Sequence, residues 1–194
     1  MNMEKYREYL FDTCRRIFAV DSPSGYTTKV MKLICEMAEE MGYSFELTKK
    51  GCGIITIPGH REEKTVALSA HVDTLGLMVR SITSDGQLKF TPVGGPLLPT
   101  LDGEYCTIYT RSGKTYTGTI LSLSPAIHVY ADSKSRERDA DNMAVRIDEK
   151  VKNAEDVKAL GIETGDYICI DTKTTITPVS YTHLRAHETR HDLV

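Results

Sequence analysis

The sequence predicts an α/β fold interrupted by a mainly β insertion, and three observations carry that reading. Apolar side chains recur at helical spacing in two segments before residue 42. Short strand-like runs follow them directly. After residue 75 helical periodicity almost vanishes, and paired runs joined by Gly-containing turns take over.

The elements follow in order. Glu4 to Ala19 places Tyr6, Leu10, Cys14, Ile17 and Phe18 on one helical face. Asp21-Ser22-Pro23-Ser24-Gly25 stops that helix, because Pro23 pushes Ser22 away from helical geometry. A second helix spans about Thr28 to Met41, with Val30, Met31, Ile34, Cys35, Ala38 and Met41 on its apolar face and Gly42 as its stop. Tyr43 to Thr48 alternates as a half-buried strand, Gly53 to Ile57 forms a short apolar strand, and Thr65 to Ala70 reads as a strand buried on both faces. This order suggests an α/β layer with a mixed sheet. Two hairpins come next: Gly76 to Ile82 with Gln87 to Thr91, and Glu104 to Thr110 with Lys114 to Ile120. Tyr130 to Met143 is polar and of mixed charge, hence a surface loop. Ala154 to Leu160 is a short helix capped by Asn153 and ended by Gly161, and Asp166 to Asp171 is a last strand.

Composition narrows the function classes. With 40% hydrophobic and 26% charged residues, the 194-residue chain fits neither a disordered nor a fibrous class. Lys+Arg at 24 against Asp+Glu at 27 leaves no basic excess for phosphates, so nucleic acid is excluded as a partner. No apolar run approaches the roughly 18 residues of a membrane helix, and the first residues lack a signal-type core, so the expected location is the cytoplasm, with no membrane partner. Cys14, Cys35, Cys52, Cys106 and Cys169 are odd in number and widely spaced, which predicts small core residues and no disulfide framework.

The chemistry-bearing group is Ala70-His71-Val72-Asp73-Thr74 at the carboxyl end of the expected buried strand, the edge at which open α/β sheets bind ligands. Strand alternation lets His71 and Asp73 face one way. A histidine that ligates a metal through one ring nitrogen needs its other N–H held, and a carboxylate two residues on can do that. The spacing suits His71 as a metal ligand and Asp73 as its orienting group. Alone, His-x-Asp also arises by chance, and a structural histidine is the competing reading. His60 in a charged connection and His128 beside a β segment read as solvated or packing residues.

The string Pro58 to Val79, with Ser22-Pro23-Ser24-Gly25, Val145-Arg146-Ile147-Asp148-Glu149 and Gly161-Ile162-Glu163-Thr164-Gly165-Asp166, resembles the tetrahedral, or glutamyl (deblocking), aminopeptidase family. The resemblance covers about Met3 to Pro178. It implies a metal-dependent aminopeptidase that removes N-terminal residues from peptides, using two divalent ions, zinc or cobalt. In that likeness His71 matches a metal ligand and Asp73 the carboxylate that orients it. Residues 1–75 would be part of a three-layer catalytic domain, residues 76–175 an inserted β domain for homo-oligomer assembly, and residues 176–194 a return segment with a non-family tail. The remaining metal ligands of such a site have no match, since the pattern is left at about Val179, so the 194-residue chain is expected to be inactive. A non-catalytic oligomerisation or peptide-contact β module is the alternative.

The tail holds a literal His-Glu-x-x-His at His187-Glu188-Thr189-Arg190-His191, with His183 four residues earlier. A zincin-type protease is the least favoured reading. The segment is poor in apolar residues, Arg190 lies between the ligands, and three residues remain after His191 to bury a site. Adventitious nickel or zinc binding is the expected behaviour.

Overall fold

A computed structural model describes residues 3–61, 63–171 and 174. They fall into two compact units, one up to Thr74 and one from Leu75 to Asp171.

The first unit holds α1 (Met3–Phe18), α2 (Thr28–Glu40), β1 (Ser44–Leu47) and β2 (Gly53–Thr56). α2 buries Val30, Met31, Met37 and Ala38. Its end is a Schellman turn: Gly42 N–H donates to Glu39 O and Tyr43 N–H to Ala38 O, both at 2.9 Å. Gly42 has φ 78°, which is why a residue without a Cβ stands there. Met41, expected on the apolar face, is exposed, because the helix has already ended and Met37 takes the inward position. β1 and β2 pair antiparallel in register Phe45↔Ile55 as a two-stranded sheet. On α1, Cys14, Ile17 and Phe18 are half-buried while Tyr6 and Leu10 of the expected face are exposed.

The expected strand Thr65 to Ala70 does not form. Residues 64–73 have no regular structure, and Val66 and Leu68 are 85% and 97% exposed. A strand apolar on both faces needs neighbours on its edges and covers on its faces. The described residues supply neither, so the apolar run lies open and the mixed sheet is represented only by β1 and β2. The fold class is nonetheless the expected α/β one with a mainly β unit.

The second unit is a closed six-stranded antiparallel barrel of order β3-β4-β7-β6-β5-β8, built from β3 (Gly76–Ile82), β4 (Leu88–Val93), β5 (Tyr105–Tyr109), β6 (Thr115–Ser122), β7 (Met143–Ile147) and β8 (Tyr167–Ile170). Closure removes the exposed edges that an open sheet would present. Both expected hairpins form, β3–β4 with register Gly76↔Val93 and β5–β6 with Cys106↔Gly118. Gly86, at φ 83°, makes the first turn possible where a side chain would be strained. Leu77, Phe90, Ile108, Ile120, Val145 and Ile168 fill the interior with no residual exposure. α3 (Ala154–Leu160) packs Val157 into the same core; Asn153 Oδ1 accepts from Asp156 N–H at 2.9 Å, as its capping role requires.

Two elements go beyond the sequence reading. β7 buries four of its five residues, so its run shows no period-2 alternation and pairs with β6 across a long connection rather than a short turn. A 3₁₀ turn at Leu98–Leu101 inserts Leu101 into the core. The intervening polar loop is organised rather than loose: Ser124 Oγ donates to Asp132 at 2.8 Å, Arg136 Nε to the same carboxylate at 2.9 Å, and Arg138 Nε to Asp102 at 3.0 Å. Cys106 and Cys169 are buried as expected, but Cys52 is exposed because it lies in the β1–β2 connection, and Cys14 and Cys35 are half-buried because they sit on partly exposed faces of α1 and α2. All five are free thiols.

Candidate metal-ligand site

The site is built by two segments far apart in sequence. Past α1 the chain turns through Ser22-Pro23-Ser24-Gly25, and this turn lies along Val72 to Thr74. Thr74 N–H donates to Ser22 O at 2.8 Å, Ser22 Oγ donates to Val72 O at 2.8 Å, and Pro23 and Thr74 form a parallel bridge. Ser22 is only 1% exposed, so its hydroxyl has to find a protein partner, and Val72 O is that partner. The extended backbone at residues 71–74 is therefore set by the turn rather than by a ladder of its own.

His71 and Asp73 come together on it as the spacing predicts, although not on a strand. His71 Nδ1 lies 3.2 Å from Asp73 O and 3.3 Å from Asp73 Oδ1. With the proton on Nδ1, the ring donates to Asp73 and carries its lone pair on Nε2, and the side chain is 60% exposed. The second carboxylate oxygen, Oδ2, accepts from Ser24 Oγ at 2.5 Å. Chiefly through that Ser24 hydroxyl, the Asp73 carboxyl is held below its ordinary range; partial desolvation opposes this, and its own backbone N–H and His71 add to it. Val72, between them, is half-buried.

Both residues border an open groove of about 550 Å³ that Ser24, Met31, Phe45, Lys50 and Cys52 also line. Gly53 also lines this groove, and a Cβ there would lie 2.5 Å from Met31 Cε and 2.6 Å from Phe45 Cε2.

Among the described residues no group of three or more His, Cys, Asp or Glu is placed to hold a metal ion. His60 and His128 are exposed, in keeping with the solvated reading. His183, His187, Glu188 and His191 of the tail lie outside the described residues. The sequence reading did not single out Ser22 and Ser24 as site residues. Their segment is legible as a turn, but contacts spanning 49 and 50 residues are not.

Known proteins share this architecture. The family described as M42 glutamyl aminopeptidase matches residues 51–187, reaching past Val179, where the sequence reading ends the likeness. A candidate aminopeptidase of Bacillus subtilis, YhfE, is 40% identical over 163 residues, which are 84% of this chain and 47% of that protein. The solved structure of the aminopeptidase APDkam598 from the archaeon Desulfurococcus kamchatkensis superposes with a TM-score of 0.76 at 22% identity, covering 89% of this chain and 46% of that one. The Pyrococcus horikoshii TET1 peptidase, described as assembling into a tetrahedron or a large octahedral shell, gives a TM-score of 0.72 at 19% identity over 87% of this chain and 48% of that one. At those identities the structural matches show the fold. The chain spans about half the length of the curated relatives it matches.

Proposed function

This chain belongs to the M42 glutamyl aminopeptidase family, and we propose that it serves metal-assisted hydrolysis of the N-terminal peptide bond, with His71 as a metal ligand and Asp73 as its orienting carboxylate. The observation that supports this most is the Nδ1 contact of His71 with Asp73, which, with the proton on Nδ1, puts the ring's lone pair on Nε2. Metal dependence is general in the family. The donor chemistry fits one corner of such a centre: a neutral imidazole nitrogen suits zinc or cobalt, and a carboxylate behind it fixes the tautomer and raises ligand basicity. A bound divalent ion would supply Lewis acidity toward the scissile carbonyl and a water acidic enough to act near neutral pH.

The chain's own residues have narrower tasks. His71 presents Nε2, Asp73 holds the Nδ1 proton, and Ser24 holds Asp73. Catalytic zinc ordinarily takes three protein ligands, and the described residues bring one histidine and no such cluster. That the 194-residue chain by itself is inactive is part of the same proposal.

In the same reading residues 1–75 are part of the catalytic domain, residues 76–175 are an inserted β domain, and residues 176–194 return from it. Homo-oligomer assembly through the β domain draws support from the shell described for the Pyrococcus relative, and peptides are the substrates the family description suggests. A cytoplasmic location accords with this; no described helix is long and apolar enough to cross a membrane. The closed barrel with its own core favours, as a second reading, a β module that assembles without catalysis.

The test is a chimera joining this chain to the C-terminal half of the Bacillus relative, assayed on aminoacyl anilides with Zn²⁺ or Co²⁺. Release of N-terminal residues that His71→Ala abolishes is the expected result. A folded, metal-loaded chimera with no such activity contradicts the reading and leaves the β module.

A further inference from the structure

We propose that Ser24 is a positioning residue for the metal ligand, acting through Asp73 to fix which nitrogen of His71 faces a metal. This rests on the reading of His71 given above and extends it to a third residue. The reason is geometric. A histidine ligates through Nε2 only while Nδ1 keeps its proton, and that proton has two acceptors here, Asp73 O at 3.2 Å and Asp73 Oδ1 at 3.3 Å. Both contacts are long for N–H···O bonds, and the Asp73 side chain is 42% exposed. Left to itself, such a carboxylate would rotate about its last bond and exchange Oδ1 for water. Ser24 Oγ, donating to Oδ2, pins the opposite oxygen and so holds the carboxylate plane with Oδ1 turned toward the ring.

Ser24 can do this because its own place is fixed. Ser22, two residues earlier, is tied to the backbone on both sides of Asp73, through Val72 O and Thr74 N. Pro23 is bridged to Thr74. The turn therefore acts as a template for a segment that has no ladder of its own at residues 64–73. A purely structural serine would satisfy a turn and leave the imidazole indifferent to its loss.

The experiment uses the ¹⁵N-labelled chain and reads the ring nitrogens of His71 by NMR, so that metal bound by histidines elsewhere does not enter. In the metal-free chain the neutral His71 ring is expected mainly as the Nδ1–H tautomer. Ser24→Ala is expected to move it toward the Nε2–H form and to weaken Zn²⁺ binding, read at the same resonances, about tenfold or more. Ser24→Thr, which keeps the hydroxyl, restores both, and unchanged barrel amide resonances establish that the variants are folded. The proposal is overturned if folded Ser24→Ala keeps the parent tautomer and Zn²⁺ affinity, or if Ser24→Thr behaves as Ser24→Ala does. A parent chain whose His71 resonances ignore Zn²⁺ overturns the metal-ligand reading itself, and the proposal with it; a responsive His71 that is indifferent to Ser24 removes the proposal alone.

Discussion

Gly118→Ala should be among the most destabilising single-methyl additions in the barrel, although alanine suits most positions better than glycine does. Gly118 lies in β6 opposite Ile147 of β7 and Cys106 of β5. A Cβ built there would stand 2.8 Å from Arg146 O, 2.9 Å from Val145 Cγ1 and 3.4 Å from Ile108 Cδ1. Ordinary carbon contacts begin near 3.5 Å, so the first of these requires a displacement of roughly 0.7 Å. The atom that has to give is a backbone carbonyl, which no rotamer change can move. Because the barrel is closed, β7 cannot retreat without disturbing β4 on its other side. Overpacking of this kind costs about 1–3 kcal/mol, and the backbone contact argues for the upper part, about 2–3 kcal/mol. For a unit of about 100 residues each kcal/mol lowers the melting midpoint by roughly 4–8 °C, giving a drop of about 10–20 °C. Gly95→Ala is the control: nothing lies within 4 Å of its added methyl and its φ is not positive. That variant should be neutral, or more stable by up to about 1 kcal/mol through the unfolded chain. Urea unfolding followed by circular dichroism measures both. If Gly118→Ala loses less than about 0.5 kcal/mol, or matches Gly95→Ala, the reasoning about the β6–β7 approach is wrong.

Other outcomes follow from single contacts. Asn153→Ala removes the side-chain acceptor of Asp156 N–H at the start of α3 and should cost about 1 kcal/mol in urea unfolding; a loss within experimental error would mean that the cap does no more than water. The Asp132 carboxyl is held below its ordinary range, first by the Ser124 hydroxyl and then by Arg136. Its contribution to stability is therefore complete above the unfolded value of about 3.9 and is lost as pH falls through the lower folded value. Ser124→Ala should raise the Asp132 midpoint in a carboxyl ¹³C titration, and an unmoved midpoint contradicts the assignment of cause. Among the thiols, exposed Cys52 should react with a maleimide at once, whereas Cys106 and Cys169 should label only on unfolding, because burial pushes the Cys106 thiol up and hides both sulfurs. Prompt labelling of Cys106 would show that the barrel opens in the native state.

Local signals were the legible part of this sequence. Asn153 and Gly161 bracket α3 as caps because capping is decided within one turn of chain. The β3–β4 and β5–β6 hairpins are likewise set by their short turns. The closure of the barrel is not local. β7 pairs with β6 across the polar loop, and β8 closes on both β3 and β5, partners that no periodicity names. Thr65 to Ala70 shows the opposite failure. Its apolar run satisfies the strand pattern, yet a strand exists only where neighbours accept its hydrogen bonds, and Leu68 is nearly fully exposed. At the site, His71 and Asp73 were legible because two positions of spacing bring them together in any extended backbone. Ser22 and Ser24 were not, because their roles depend on a turn folding back across some fifty residues.

The claim that His71 presents Nε2 to a metal, with Nδ1 held by Asp73, is tested most directly by crystals of the chain soaked in Zn²⁺ and measured at the zinc absorption edge. An anomalous peak about 2.0–2.1 Å from His71 Nε2, with Nδ1 still against Asp73, is the expected result. A peak on Nδ1, or zinc bound elsewhere at full occupancy with none at His71, would contradict it.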